Sequence, residues 1–141
     1  EVVEHEWTKR CDEPKKDAKK DEKKTCEVFK RMDVKSNSQR IAEFAIGLSD
    51  KKDVVRGVAI LPLGMLLDGG VSMKVDDNKP VTFKIRYCSP GGCFGYISLD
   101  KGLMDGLKKG KTVAFNFKTA EGQNVNVVMS LAGFEKAFKE L

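Results

Sequence analysis

Apolar and polar residues alternate with a period of two along much of this chain. Val81 to Cys88 shows it most cleanly: Val81, Phe83, Ile85 and Tyr87 fall on one side, and Thr82, Lys84 and Arg86 on the other. That spacing predicts a half-buried β-strand, because successive side chains of a strand point to opposite faces. Three further sets repeat the pattern: Val71, Met73 and Val75; Val113, Phe115 and Phe117; Val125, Val127 and Met129. After the bend at Cys88 to Cys93, Phe94, Tyr96 and Ser98 alternate with Gly95, Ile97 and Leu99. Val54 to Leu61 is rich in β-branched residues and predicts a strand that Pro62 stops or places at an edge. CEVFKRMDV from Cys26 alternates loosely and predicts another strand, whereas Arg40 to Leu48 has a mixed period that suits a strand or a helix.

Turn chemistry separates these runs at Asp68-Gly69-Gly70, at Asp76-Asp77-Asn78, at Gly110 and at Ala120-Glu121-Gly122. Two short segments carry helical spacing instead. Asp100 is placed to cap a turn holding Leu103, Met104 and Leu107 and ended by Gly110, and Ser130 to cap a last helix whose Leu131, Phe134, Phe138 and Leu141 share a face. Short strands at regular spacing predict an all-β fold: an antiparallel β-sandwich with one or two short helices, including a C-terminal one. No internal repeat is evident.

Composition narrows the class. With 141 residues and 40% hydrophobic content, the chain has the size of one globular domain, and residues 1–141 are expected to form a single β-sandwich domain. The formal charge is +5, but 26 basic and 21 acidic residues are interspersed, which argues against a nucleic-acid stripe. No apolar run approaches the ~20 residues of a bilayer-spanning helix; the longest, Val58 to Leu67, is interrupted by Pro62 and Gly64. The first residue is Glu1 rather than methionine, as expected either of a mature form that has lost a targeting segment or of a trimmed chain.

Four cysteines stand at 11, 26, 88 and 93, so three disulfide connectivities are open. Closeness in sequence favours Cys11 with Cys26 and Cys88 with Cys93, worth about 3 and about 2 kcal/mol on the chain-entropy relation. Between the first two lies DEPKKDAKKDEKKT, which has almost nothing to bury. As a helix it would stack Lys15, Lys19 and Lys23 on one line and Lys16, Lys20 and Lys24 on another, so residues 13–24 are expected to be a charged mobile loop. These six lysines are the candidate contact for an anionic partner. Against that role, Glu13 to Lys24 carries a net charge of only +2, and a solvated loop stapled at its base explains it more simply.

Catalytic and metal chemistry is not nominated. Zinc needs three or four converging soft or imidazole ligands, and the only histidine is His5. A thioredoxin-like site needs two residues between its cysteines in a βαβ setting. No base stands beside a candidate serine or cysteine nucleophile, and no glycine loop is followed by the lysine and hydroxyl of a phosphate cradle. Phe83, Phe94, Tyr96, Phe115 and Phe117 with Lys84, Arg86 and Lys118 are considered as a nucleic-acid platform. Alternation puts aromatics and charges on opposite faces, which favours core on one side and solvent on the other.

EWTKRC near the start, TCEVFKR, LPLGMLLDGGVSMKVD, RYCSPGGCFGYISLDKGLMDGLKKGK and MSLAGFEKAF, in that order over nearly the whole chain, resemble the invasion-associated locus B family. The charged loop between Cys11 and Cys26 is longer than that pattern. The resemblance implies an exported protein of the bacterial envelope, in the periplasm, associated with the outer membrane or secreted, and linked to host-cell invasion. It implies no catalytic residue, no cofactor and no metal. The expected partner is a host-cell surface component or an envelope protein, with peripheral rather than transmembrane attachment to the outer membrane and no nucleic acid. A second expectation is a periplasmic module that supports envelope integrity and affects invasion indirectly.

Overall fold

The computed structural model describes residues 1–11, 25–48 and 54–141. The charged segment 13–24 lies outside the described residues. Among the described residues eleven strands and two helices follow in order: β1 (Val2–Glu4), β2 (Thr8–Cys11), β3 (Cys26–Val34), β4 (Arg40–Leu48), β5 (Val55–Leu61), β6 (Val71–Val75), β7 (Val81–Phe83), β8 (Ile85–Ser89), β9 (Gly92–Leu99), α1 (Lys101–Lys109), β10 (Thr112–Lys118), β11 (Asn124–Ser130) and α2 (Phe134–Lys139). They form two antiparallel sheets. The larger, sheet I, runs β1-β3-β4-β5-β9-β8, with β2 also paired to β3; the smaller, sheet II, runs β11-β10-β6-β7.

The inward positions of both sheets make one core. Val28, Ala42, Phe44, Ile46, Ala59, Leu61, Ile97 and Leu99 of sheet I pack toward Val71, Met73, Val75, Val113, Phe115, Phe117, Val127 and Met129 of sheet II. Phe44 meets Phe115 edge-on across the layers, with ring centroids 5.0 Å apart. Edge contacts of this kind put the positive rim of one ring against the negative face of the other. Arg40 to Leu48 is thus a strand, its apolar residues at 42, 44 and 46 facing the core.

Helix α1 closes one end of the sandwich. The Asp100 carboxylate accepts the Leu103 N–H at 2.8 Å, Met104 and Leu107 are buried, and Lys108 and Lys109 occupy the last turn, where cations suit the helix dipole. The C-terminal helix forms differently from the expected Ser130 cap. Ser130 ends β11 and its Oγ accepts the Ala132 N–H, while α2 starts at Phe134 behind Gly133, which has a left-handed φ of +86°. Trp7 joins this end to the rest: its ring lies 4.9 Å from that of Phe134 and 6.3 Å from that of Phe44, and its Nε1–H donates to the Ser130 carbonyl at 3.0 Å.

The run from Val81 to Cys88 is not one strand. Val81–Phe83 belongs to sheet II and Ile85–Ser89 to sheet I, so the chain crosses the edge of the sandwich at Lys84. The pairing then slips between Ile85 and Tyr87, a bulge that breaks the alternation. Phe83 and Ile85 remain inward, but Tyr87 turns outward and is 48% exposed.

Candidate functional site

The bulge gives sheet I an outer face unlike an ordinary solvated one. Three cross-strand rows are set by register: Arg31, Glu43, Ile60, Phe94 and Tyr87; Thr8, Phe29, Ala45, Val58 and Tyr96; Arg10, Glu27, Gly47, Arg56 and Ser98. Apolar and aromatic groups fill the middle and arginines stand at the margins. Tyr87 stacks on Phe94 with centroids 4.8 Å apart and planes 10° apart. The Arg86 guanidinium lies 4.7 Å from the Tyr96 ring centre, and Arg10 lies 4.0 Å from that of Phe29. Such cation–π contacts hold a guanidinium over a ring while its N–H groups stay free to donate.

Charge on this face is arranged, not scattered. Glu43 is nearly fully buried and sits between Arg10 at 3.3 Å and Arg40 at 3.8 Å. Arg10 also grips Glu27, at 2.5 Å. Burial alone would lower the Arg10 pKa, but the hydrogen bonds and charges of Glu27 and Glu43 outweigh it and raise it. At one end Asp33 accepts from Arg31 and lies 2.7 Å from His5 Nε2. Burial would raise that carboxyl; Arg31 and His5 overcome it and hold it below the usual carboxylate range. At the other end the neighbouring Tyr87 hydroxyl, aided by burial, lifts the Tyr96 phenol above its ordinary value.

A groove of about 670 Å³ lies beside Trp7, lined by Glu4, His5, Lys30, Ser130, Lys136 and Glu140 among others. Lys30 is buried at its floor, with Nζ 2.9 Å from Glu4 Oε1 and 3.0 Å from the Ser130 carbonyl. Glu4 also accepts the Ser130 N–H. Each polar group at this floor has a partner, so the cluster serves as a joint between the N-terminal strand and sheet II. His5 pairs with Asp33 through its ring, and among the described residues no group of three or more His, Cys, Asp or Glu is placed to hold a metal ion.

The structure bonds Cys11 to Cys26 across β2 and β3, and Cys88 to Cys93 across β8 and β9, leaving no cysteine free. Each pair is also a register pair of its sheet. The candidate anionic-partner lysines, Lys15, Lys16, Lys19, Lys20, Lys23 and Lys24, lie outside the described residues. The separation of aromatics from charges holds for Phe83, Phe115 and Phe117, which are buried, and fails for Phe94 and Tyr96. In β9 the inward set is Cys93, Gly95, Ile97 and Leu99, and the aromatics share the outer face with Arg86 and Arg56. Gly95 was the available signal: an ideal Cβ there would lie 2.3 Å from the Phe83 ring, so that position must face the core.

Fold and site together define a β-sandwich stapled by two cross-strand disulfides, with an arginine- and tyrosine-bearing sheet face. Among the described residues no helix is long and apolar enough to cross a membrane. The profile of the invasion associated locus B (IalB) protein family matches residues 7–141, and the chain belongs to that family. It is 30% identical over 125 residues to invasion protein B of Bartonella bacilliformis, covering 86% of this chain and 66% of that protein. It is 31% identical over 88 residues to an invasion protein B homolog of Brucella abortus, covering 62% of this chain and 51% of the relative. The chain thus spans between about half and two-thirds of the curated relatives it matches. A crystal structure of invasion associated protein B from Bartonella henselae superposes with a TM-score of 0.80 at 25% identity, covering 95% of this chain and 88% of that one.

Proposed function

We propose that this protein is an exported, non-enzymatic component of the bacterial envelope, periplasmic, outer-membrane-associated or secreted, that contributes to host-cell invasion by binding a partner. The family match over residues 7–141 carries this reading. Two observations support it. Both disulfides use all four cysteines, a pattern that persists where the surroundings are oxidising. The outer face of sheet I presents exposed tyrosines beside arginines, a composition favoured at recognition surfaces.

The experiment is a deletion strain complemented with the native chain or with a variant altered on that face, scored for entry into cultured host cells and, separately, for growth in detergent or at low osmolarity. Loss of entry with normal envelope tolerance, restored by the native chain and not by the face variant, is the expected result. Envelope sensitivity without any host cell, accompanied by proportionate loss of entry, would replace binding by an indirect role. Recovery of the protein in the cytoplasm with free thiols would overturn the reading.

A further inference from the structure

We propose that the β5-β9-β8 end of the outer face of sheet I is a binding platform for an acidic oligosaccharide, with Tyr87 and Tyr96 as stacking surfaces and Arg56 and Arg86 as anion clamps. This rests on the binding role proposed above and names the ligand class for it. The rings are presented rigidly: one face of Tyr87 is covered by Phe94, and with 48% of the residue exposed its other side is open to solvent. Tyr96, 37% exposed, lies one strand inward and one residue pair along. The C–H faces of pyranose rings pack on such aromatic surfaces at small entropic cost, because the side chains are already ordered.

The charges match an anion. Arg86 is held over Tyr96, and Arg56 stands on the other side of β9, opposite Ser98, so the two clamps lie diagonally across that strand. A guanidinium fork suits a carboxylate or a sulfate by paired N–H bonds. Among the described residues the acidic groups of this face are already engaged: Glu43 is buried between Arg10 and Arg40, and Glu27, which stands in the Arg56 row beyond Gly47, is gripped by Arg10.

A glycan fits better than the other anionic polymers. A peptide adds to a sheet by its edge, which here is β8 at the margin, whereas Tyr96 and Arg56 stand on the face over β9 and β5, whose backbone is committed to ladders on both sides. Single-stranded nucleic acid uses similar rings and cations but needs a continuous basic groove along its backbone, whereas this end of the face offers two separate guanidiniums.

The test is calorimetric titration of the purified protein with a sulfated hexasaccharide, a uronic-acid hexasaccharide, a neutral hexasaccharide, single-stranded DNA and polyglutamate, at two salt concentrations. Binding of at least one acidic saccharide in preference to the neutral one, to DNA and to polyglutamate is expected. Tyr87→Ser with Tyr96→Ser, and separately Arg56→Gln with Arg86→Gln, should each weaken it by about tenfold or more. Tyr87→Phe with Tyr96→Phe keeps the stacking faces and should retain binding within about threefold, which distinguishes recognition from damage to the fold. Lys109→Gln with Lys111→Gln, on either side of Gly110 where it packs against Val75 of sheet II, makes the same charge change and should alter affinity less than about twofold. Equal losses from the lysine and arginine variants, no loss from the serine variant, or preference for DNA or polyglutamate would overturn the proposal. The titration is independent of any invasion phenotype: saccharide binding by a protein whose loss leaves entry normal would sink the invasion role and leave the platform standing.

Discussion

Trp7 touches Phe44 of sheet I and Phe134 of α2, and hydrogen-bonds to the last residue of sheet II, so replacing it with alanine loosens three elements at once. The side chain is only 8% exposed, and truncating a buried large aromatic costs about 3–5 kcal/mol in transfer and cavity terms. The lost hydrogen bond adds little, because the Ser130 carbonyl keeps the Lys30 ammonium at 3.0 Å and is not orphaned. Trp7→Phe should therefore cost much less, about 1–2 kcal/mol, for one hydrogen bond and part of a ring. At roughly 3 °C per kcal/mol for a chain of this length, Trp7→Ala should lower Tm by about 9–15 °C and Trp7→Phe by about 3–6 °C. Thermal and guanidinium unfolding followed by far-UV circular dichroism checks both. Trp7 is the only tryptophan, so its fluorescence gives a second probe for the native chain alone. A Trp7→Ala protein that melts within about 3 °C of the native one would refute the idea that this ring fastens the sheets and helix together.

Gly95→Ala would drive a methyl against Phe83, where an ideal Cβ lies 2.3 Å from the ring, and should cost about 1–3 kcal/mol by overpacking; an unchanged denaturation midpoint would mean that the edge of sheet II gives way easily. Replacing Cys11 and Cys26 by alanine should cost about 3 kcal/mol and replacing Cys88 and Cys93 about 2 kcal/mol, since the first bridge closes the longer loop; the reverse order in urea midpoints would rule out the unfolded-chain account. Arg31 and His5 hold the Asp33 carboxyl below its unfolded value, so its stabilisation is present above that value, near pH 3.9, and lost as pH falls through the folded one. The stability gap between the native chain and Asp33→Asn should accordingly narrow on acidification from pH 7 to pH 2, and a constant gap would contradict the pairing.

The amino-acid sequence by itself determined the class of fold and most of its parts. Period-two runs at 71–75, 113–117 and 125–129 became strands whose apolar sides are buried, and Asp100 with Gly110 bounded α1, because alternation and capping are local properties of the chain. Where alternation carried apolar residues on both sides, local information ran out. Phe94 and Tyr96 alternate with Ile97 and Leu99, and only packing against Phe83 decided that the small residue Gly95 must lie inward and the aromatics outward. Val81 to Tyr87 looks like one strand, yet a sheet edge and a bulge divide it, since the pairing partners that set register are distant in sequence. The burial of Lys30 and Glu43 likewise came from partners far along the chain, Glu4 and Ser130 for one, Arg10 for the other. The sequence thus specified most of the strand segments, but not the short β1 and β2, and it left Arg40–Leu48 open between strand and helix. The tertiary structure decided which side of each one faces a partner, because a face is chosen by what the whole sandwich can bury.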